Sequence, residues 1–131
     1  MVQLTTSLIV ALAALSSLIL AAPSNLEARA PVCNRPGMIF GKTQEAVTCI
    51  NQLAALGSTC VTDYAGRSLR RCGSTEIWSI SRTSKGASTP CQNVARSAGL
   101  IMDACNQPDN LITGWAYVQG NGDFYIEIRG V

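Results

Sequence analysis

Thr89-Pro90-Cys91-Gln92-Asn93-Val94-Ala95-Arg96-Ser97-Ala98-Gly99-Leu100-Ile101-Met102-Asp103-Ala104-Cys105 is the stretch from which the fold is read. Cys91, Val94, Ala98, Ile101 and Cys105 recur at three- and four-residue intervals, which stacks them on one face of a helix. Thr89 is placed to cap the start, and Pro90 suits the first helical position. Gln92 stands three residues after the cap, the spacing of a capping box. Asn106, Gln107 and Pro108 end the helix. With a rise of about 1.5 Å per residue, Cys91 and Cys105 lie about 21 Å apart along the axis and cannot bond each other. Each pairs elsewhere, so the segment reads as a buried strut stapled at both ends to surrounding strands.

Toward the N-terminus, Cys60-Val61-Thr62-Asp63-Tyr64 and Ser68-Leu69-Arg70-Arg71-Cys72 flank Gly66 and read as a hairpin. Gly73 then marks a bulge, Ile77-Trp78-Ser79-Ile80 continues as strand, and Arg82 to Ser88 is a polar loop. Further back, Thr43 to Leu56 reads as a helix with Thr43 as N-cap, Glu45 in the positive first turn and Gly57 as the stop. Its apolar stripe is Val47, Ile50, Leu53 and Ala54, with Cys49 beside it.

On the other side of the strut, Trp115-Ala116-Tyr117-Val118-Gln119 and Phe124-Tyr125-Ile126-Glu127-Ile128 flank Gly120-Asn121-Gly122-Asp123. An Asn121-Gly122 tip suits a type I′ turn, which needs positive φ at both centres. That tip puts Trp115, Tyr117, Phe124, Ile126 and Ile128 on one face, and Ala116, Val118, Tyr125, Glu127 and Arg129 on the other. The order helix, hairpin, helix, hairpin predicts an α+β fold, an antiparallel sheet with two helices packed on one face.

Six cysteines, Cys33, Cys49, Cys60, Cys72, Cys91 and Cys105, all follow Pro31. An even count in a chain this short reads as three disulfides. With no histidine and no Cys-x-x-Cys pair, zinc is the poorer reading, and no metal or cofactor is expected. Many connectivities are open: Cys60 falls opposite Cys72 if the loop centres on Gly66, and helix-to-strand pairs compete with that bridge. The apolar run Leu8 to Leu20, closed by Ala21 and Ala22, has the length of a secretory h-region and the wrong flanks for a membrane anchor. The reading is therefore a signal peptide over 1–21, a pro-segment or linker over 22–30, and a single stapled domain over 31–131. The protein is expected outside the cell, as a monomer, without stable membrane insertion.

The absence of histidine excludes a Ser-His-Asp or Cys-His arrangement. Asp123 and Glu127 are the nearest pair of carboxylates, and solvated surface charge is the better reading of both, so no catalytic residue is expected. Gly120 and Gly122 lie in a hairpin, not before a helix, and make no phosphate loop. Arg67, Arg70, Arg71, Arg82 and Lys85 fall in one central segment suited to an acidic partner or surface, although charged gatekeepers on a solvated strand edge are the better reading. A net charge of +2 argues against nucleic acid. Among Trp78, Trp115, Tyr117 and Tyr125, which have the chemistry to stack on sugars, Trp115 and Tyr117 are expected in the core and Tyr125 on the outer face.

Arg71-Cys72-Gly73, the helix Pro90-Cys91 through Cys105, and the terminal Gly120-Asn121-Gly122-Asp123-Phe124-Tyr125-Ile126-Glu127-Ile128 together carry a resemblance. The chain resembles small secreted cysteine-rich fungal effectors and, more distantly, the α/β-sandwich killer toxins of smut fungi. The resemblance implies that fold and secretion, and it assigns no functional residue. The expected function is that of a non-enzymatic effector, virulence-associated, binding a host or competitor protein or cell-surface component. The alternative is a toxin or antimicrobial protein acting on target cell surfaces. The candidate binding surface is Arg67, Arg70, Arg71, Arg82, Lys85 and Tyr125.

Overall fold

The structure, a computed structural model, describes residues 30–34 and 36–131. The signal peptide and linker expected before Pro31 lie, Ala30 apart, outside the described residues. In chain order the elements are β1 (Val32–Cys33), β2 (Gly41–Lys42), α1 (Thr43–Ala55), β3 (Thr59–Thr62), β4 (Arg67–Cys72) and β5 (Thr75–Ser81). They continue with β6 (Ala87–Pro90), α2 (Cys91–Cys105), β7 (Leu111–Ile112), β8 (Gly114–Val118) and β9 (Asn121–Gly130). The main sheet runs β1-β8-β9-β5-β4, and β2 with β7 and β3 with β6 form two short ribbons. Every pairing is antiparallel. The class is α+β, with two helices and three disulfides among the described residues.

The expected strut is α2. Cys91, Val94, Ala98, Ile101 and Cys105 are all buried. Cys60–Cys91 ties its start to β3, and Cys33–Cys105 ties its end to β1, with Cα atoms 5.0 and 5.2 Å apart. The capping box does not form. Thr89 belongs to β6, opposite Cys60, and Pro90 is the residue before the helix, with no side-chain cap. The first amide of the helix finds another partner: Cys91 N–H donates to the Ser58 carbonyl at 2.9 Å. Ladder pairing has claimed Thr89, so the backbone of the β3 approach supplies what a side chain was expected to give.

The first hairpin is elsewhere. β3 leaves the Gly66 bend to pair with β6, whereas β4 pairs with β5 through a tight turn at Gly73-Ser74. Gly73 sits at φ +64°, the left-handed conformation that glycine adopts without cost. It is thus the tip of a hairpin, and the bulge falls one strand earlier, between Ser68 and Arg70. The Gly66 segment still bends, because the Asp63 carboxylate accepts from Gly66 N–H at 2.7 Å and its carbonyl accepts from Ser81 N–H at 2.9 Å. That second bond draws the bend onto β5 and sends β3 away from β4. Cys60 and Cys72 are therefore not partners. Cys72 bonds Cys49 on α1, the helix-to-strand alternative.

Helix α1 begins at Thr43, but the Thr43 hydroxyl does not cap it. It donates to Asn106 Oδ1 at 2.6 Å and joins the start of α1 to the end of α2. The apolar stripe is also rotated. Ala46, Cys49 and Leu53 are fully buried and Ile50 partly so, while Val47 is 42% exposed and Ala54 is exposed. The bridge to Cys72 turns Cys49 to the centre of the buried face. From the first turn of α1, Glu45 accepts the Ser74 N–H, the Ser74 hydroxyl and the Thr75 hydroxyl at 3.1, 3.0 and 2.8 Å, clasping the Gly73 turn.

The last hairpin exists, with its register one residue from the expected one. Tyr117 pairs with Tyr125 and Val118 with Asn121, so the loop is Gln119-Gly120, with Gly120 at φ +84°. Asn121 is engaged outside the turn: its amide donates to the Ser88 carbonyl and its carbonyl accepts from Asp123 N–H. An irregularity between Tyr117 and Val118 absorbs the extra β9 residues. A one-residue slip exchanges the faces. Ala116 and Val118 join Phe124, Ile126 and Ile128 in the core with Ile77, Leu53, Val94, Ala98 and Ile101. Trp115 and Tyr117 move to the side of Tyr125, Glu127 and Arg129.

Candidate aromatic binding face

Strand alternation builds this face from the residues that the core does not take. β8 contributes Trp115 and Tyr117, β9 contributes Tyr125, Glu127 and Arg129, and β5 contributes Glu76, Trp78 and Ile80. The cross-strand register sets Tyr125 between Tyr117 and Ile80, and Glu127 between Trp115 and Trp78. The face divides into two halves of different character.

In one half, the rings of Trp115, Tyr117 and Tyr125 stand 5.4 to 5.7 Å apart between centroids, inclined by 58° to 77°. These are the edge-to-face and tilted geometries that the ring quadrupole favours. Each ring is half-buried, neither in the core nor fully in water. Arg82, the first residue after β5, lays its guanidinium 5.4 Å from the Tyr117 centroid. Tyr64, 62% exposed, comes in from the bend after β3. Together with Ile80 these groups line an open concavity of about 500 Å³, a size within the usual range of ligand sites.

In the other half, polar groups and aromatic ring are locked together. Arg129 Nε donates to Glu76 Oε2 at 2.8 Å, and its guanidinium lies 4.2 Å from the centroid of the Trp78 ring. Glu76 and Glu127 are 4% and 6% exposed. Gly66, at φ +90°, lies so close over the Trp78 indole that a Cβ there would collide with the ring. Trp78 is thus covered, and it is not a platform for a ligand.

Of the six residues expected to make a binding surface, Arg82 and Tyr125 meet in the aromatic half. Arg67 is ion-paired with Asp63 at 3.2 Å on the surface. Arg70 donates to Gln52 on α1 at 2.7 Å. Arg71 is exposed opposite Glu76, about 20 Å along β5 from Arg82. Lys85 is exposed in the loop between β5 and β6. The basic segment is therefore spread over several surroundings. Asp123 is exposed, as expected, but Glu127 is buried beneath the face and is not a solvated surface charge. Four residues along one strand separate the two by about 13 Å, beyond the spacing that carboxylate pairs use in glycoside hydrolysis.

The sequence reading missed Trp115 and Tyr117, placing them in the core. The positive φ available at Gly120 was the signal for the other turn, but Asn121-Gly122 is the stronger hairpin pattern and masked it.

Residues 28–130 match the family described as a domain of unknown function, DUF8794, and the chain belongs to that family. It matches no curated protein and no solved structure.

Proposed function

We propose that this is a secreted, non-enzymatic effector-type protein that acts by binding a target of host or competitor origin, and that the aromatic half of the sheet is its contact surface. On this reading both helices lie on one face of the sheet and leave the other for the target. The observation that carries it is the cluster of Trp115, Tyr117 and Tyr125, kept at the surface around a concavity when the strand alternation already fills the core without them. Large amphipathic rings in such places supply contact area at small entropic cost and are enriched where binding energy concentrates. Three disulfides fit an oxidising, extracellular setting. The alternative, a toxin or antimicrobial acting through its basic segment, draws less support from the scattered positions of Arg67, Arg70, Arg71 and Lys85.

The test compares the secreted protein with a Trp115→Ser/Tyr125→Ser variant as baits in host and competitor extracts. The expected result is a macromolecule retained by the first and lost by the second, with melting temperature preserved and no turnover of generic glycan, peptide or RNA substrates. Identical capture by both baits refutes the contact surface. Turnover abolished by a single carboxylate substitution would place the protein among the enzymes.

A further inference from the structure

The aromatic concavity has a chemistry that selects among ligands, and the following inference rests on the proposal that it is the contact surface. We infer that its occupant is an acidic oligosaccharide, whose sugar ring stacks on the Trp115–Tyr117–Tyr125 cluster while its carboxylate is held by Arg82. The floor is formed by half-buried rings on adjacent strands, with Tyr117 directly opposite Tyr125. Such a floor receives a flat ligand with C–H groups on its face, because partly positive C–H hydrogens are attracted to the negative face of an aromatic ring. A pyranose has that face, and it carries hydroxyls around its edge that tyrosine rims can meet.

Arg82 sets the charge. It is exposed, lines the concavity, and makes no ion pair among the described residues. Its planar fork matches a carboxylate with two parallel hydrogen bonds. The same cation disfavours an ammonium-bearing sugar, and a neutral sugar leaves it unused. A peptide has a weaker claim, because β9, which carries Tyr125, lies between β8 and β5, and β1 pairs with β8 at Gly114 and Trp115. β9 offers no free backbone edge for strand addition, one way a sheet takes an extended peptide, and β8 has only the short stretch past Trp115. A single-stranded nucleic acid would also stack on such rings, but its phosphate run calls for a cationic groove. Here Arg82 is the one cation lining the concavity among the described residues.

Trp115 makes the site its own reporter. Tryptophan fluorescence of the oxidised protein is followed while adding, separately, a short oligouronide, its methyl ester, a neutral oligoglucoside, an acidic aromatic peptide and a single-stranded oligonucleotide. The oligouronide should saturate the signal, and the methyl ester should bind about tenfold or more weakly, the usual size of a charge-assisted bond. Arg82→Gln, a change at an exposed position, should bring acid and ester to equal affinity without altering the melting temperature. Equal binding of acid and ester by the unmodified protein, an unchanged preference in Arg82→Gln, or tighter binding of peptide or oligonucleotide overturns the inference. So does the absence of saccharide binding. The two levels separate in the extract experiment. If the aromatic variant loses its target but excess oligouronide neither binds nor competes, the saccharide falls and the contact surface stands. If capture ignores the aromatic variant, the surface falls and the saccharide with it.

Discussion

Consecutive residues of β9 enter two different environments. Phe124, Ile126 and Ile128 are fully buried against the helices' apolar residues, whereas Tyr125 and Arg129 stay partly in water on the aromatic face. The core side is closed by packing and by disulfides: the bridges reach Cys49, Cys91 and Cys105, all buried and all on helices. The aromatic side carries ring contacts, cation–ring contacts, an ion pair and strand register, and no disulfide among the described residues. Stability should therefore concentrate on the first side and recognition on the second, and substitutions on each side should read out differently.

The largest effect belongs to the staples. Cys91→Ser or Cys105→Ser frees one end of α2 and strands a partner thiol. Losing one such bridge typically costs about 2–5 kcal/mol, against a total stability of about 5–15 kcal/mol for a domain of this kind. Reduction of all three should abolish the circular-dichroism transition at ordinary temperature, and alkylation with mass spectrometry should find no free thiol before reductant. A reduced protein with an unchanged melting curve would remove the disulfides from this side of the comparison. Phe124→Ala comes next, at about 3–5 kcal/mol, because a fully buried ring leaves a cavity that the surrounding elements fill only partly.

The contrast sharpens at Arg129. Its Glu76 partner is 6% exposed at the side chain, so Arg129→Ala leaves a buried carboxylate without its cation. A loss of about 2–3 kcal/mol is expected, discounted from the fully buried case because Arg129 itself is 27% exposed. Glu76→Gln in the Arg129→Ala background should recover part of it in urea denaturation. By comparison Tyr125→Ala should cost about 1 kcal/mol of ring contacts and yet abolish target capture. If Tyr125→Ala instead destabilised as much as Phe124→Ala, the two faces would not differ in kind.

These environments were unequally legible in the chain. The face of α2 was plain because Cys91, Val94, Ala98, Ile101 and Cys105 repeat over four turns, and a periodicity that long does not depend on knowing the neighbours. The strands are shorter, and their partners are set by contacts remote in sequence. β3 goes to β6 because Asp63 also binds Ser81 and because Cys60 bonds Cys91, neither of which is visible in local spacing. The aromatic face was lost by one residue of register. Gln119-Gly120 and Asn121-Gly122 are both workable turns, and Asn121 is drawn out of the second by its bond to Ser88 in β6. A period of two turns so small an error into a complete exchange of faces.

The smallest expected effect tests whether the core side can be loosened without touching the aromatic side. Glu45 is held below the ordinary glutamate value of 4.5, first by the Thr75 hydroxyl, then by the Ser74 hydroxyl and amide and by Lys42, with partial desolvation opposing. A carboxyl depressed in the folded state binds more protons when unfolded, so its contribution is present above the ordinary value. It is lost as the pH falls through the depressed value. The melting temperature of the unmodified protein should therefore exceed that of Glu45→Gln by a constant margin at neutral and mildly acidic pH. Below about pH 4.5 the margin should shrink, and it should vanish once Glu45 is protonated in the folded state as well. Because the clasp grips the Gly73 turn at the far end of β5 from Arg82, Trp115 fluorescence and ligand affinity at neutral pH should not distinguish the variant from the unmodified protein. Melting curves that stay parallel down to low pH would show that the clasp contributes nothing through its charge. An altered ligand affinity in Glu45→Gln would show that the two sides of the sheet are coupled.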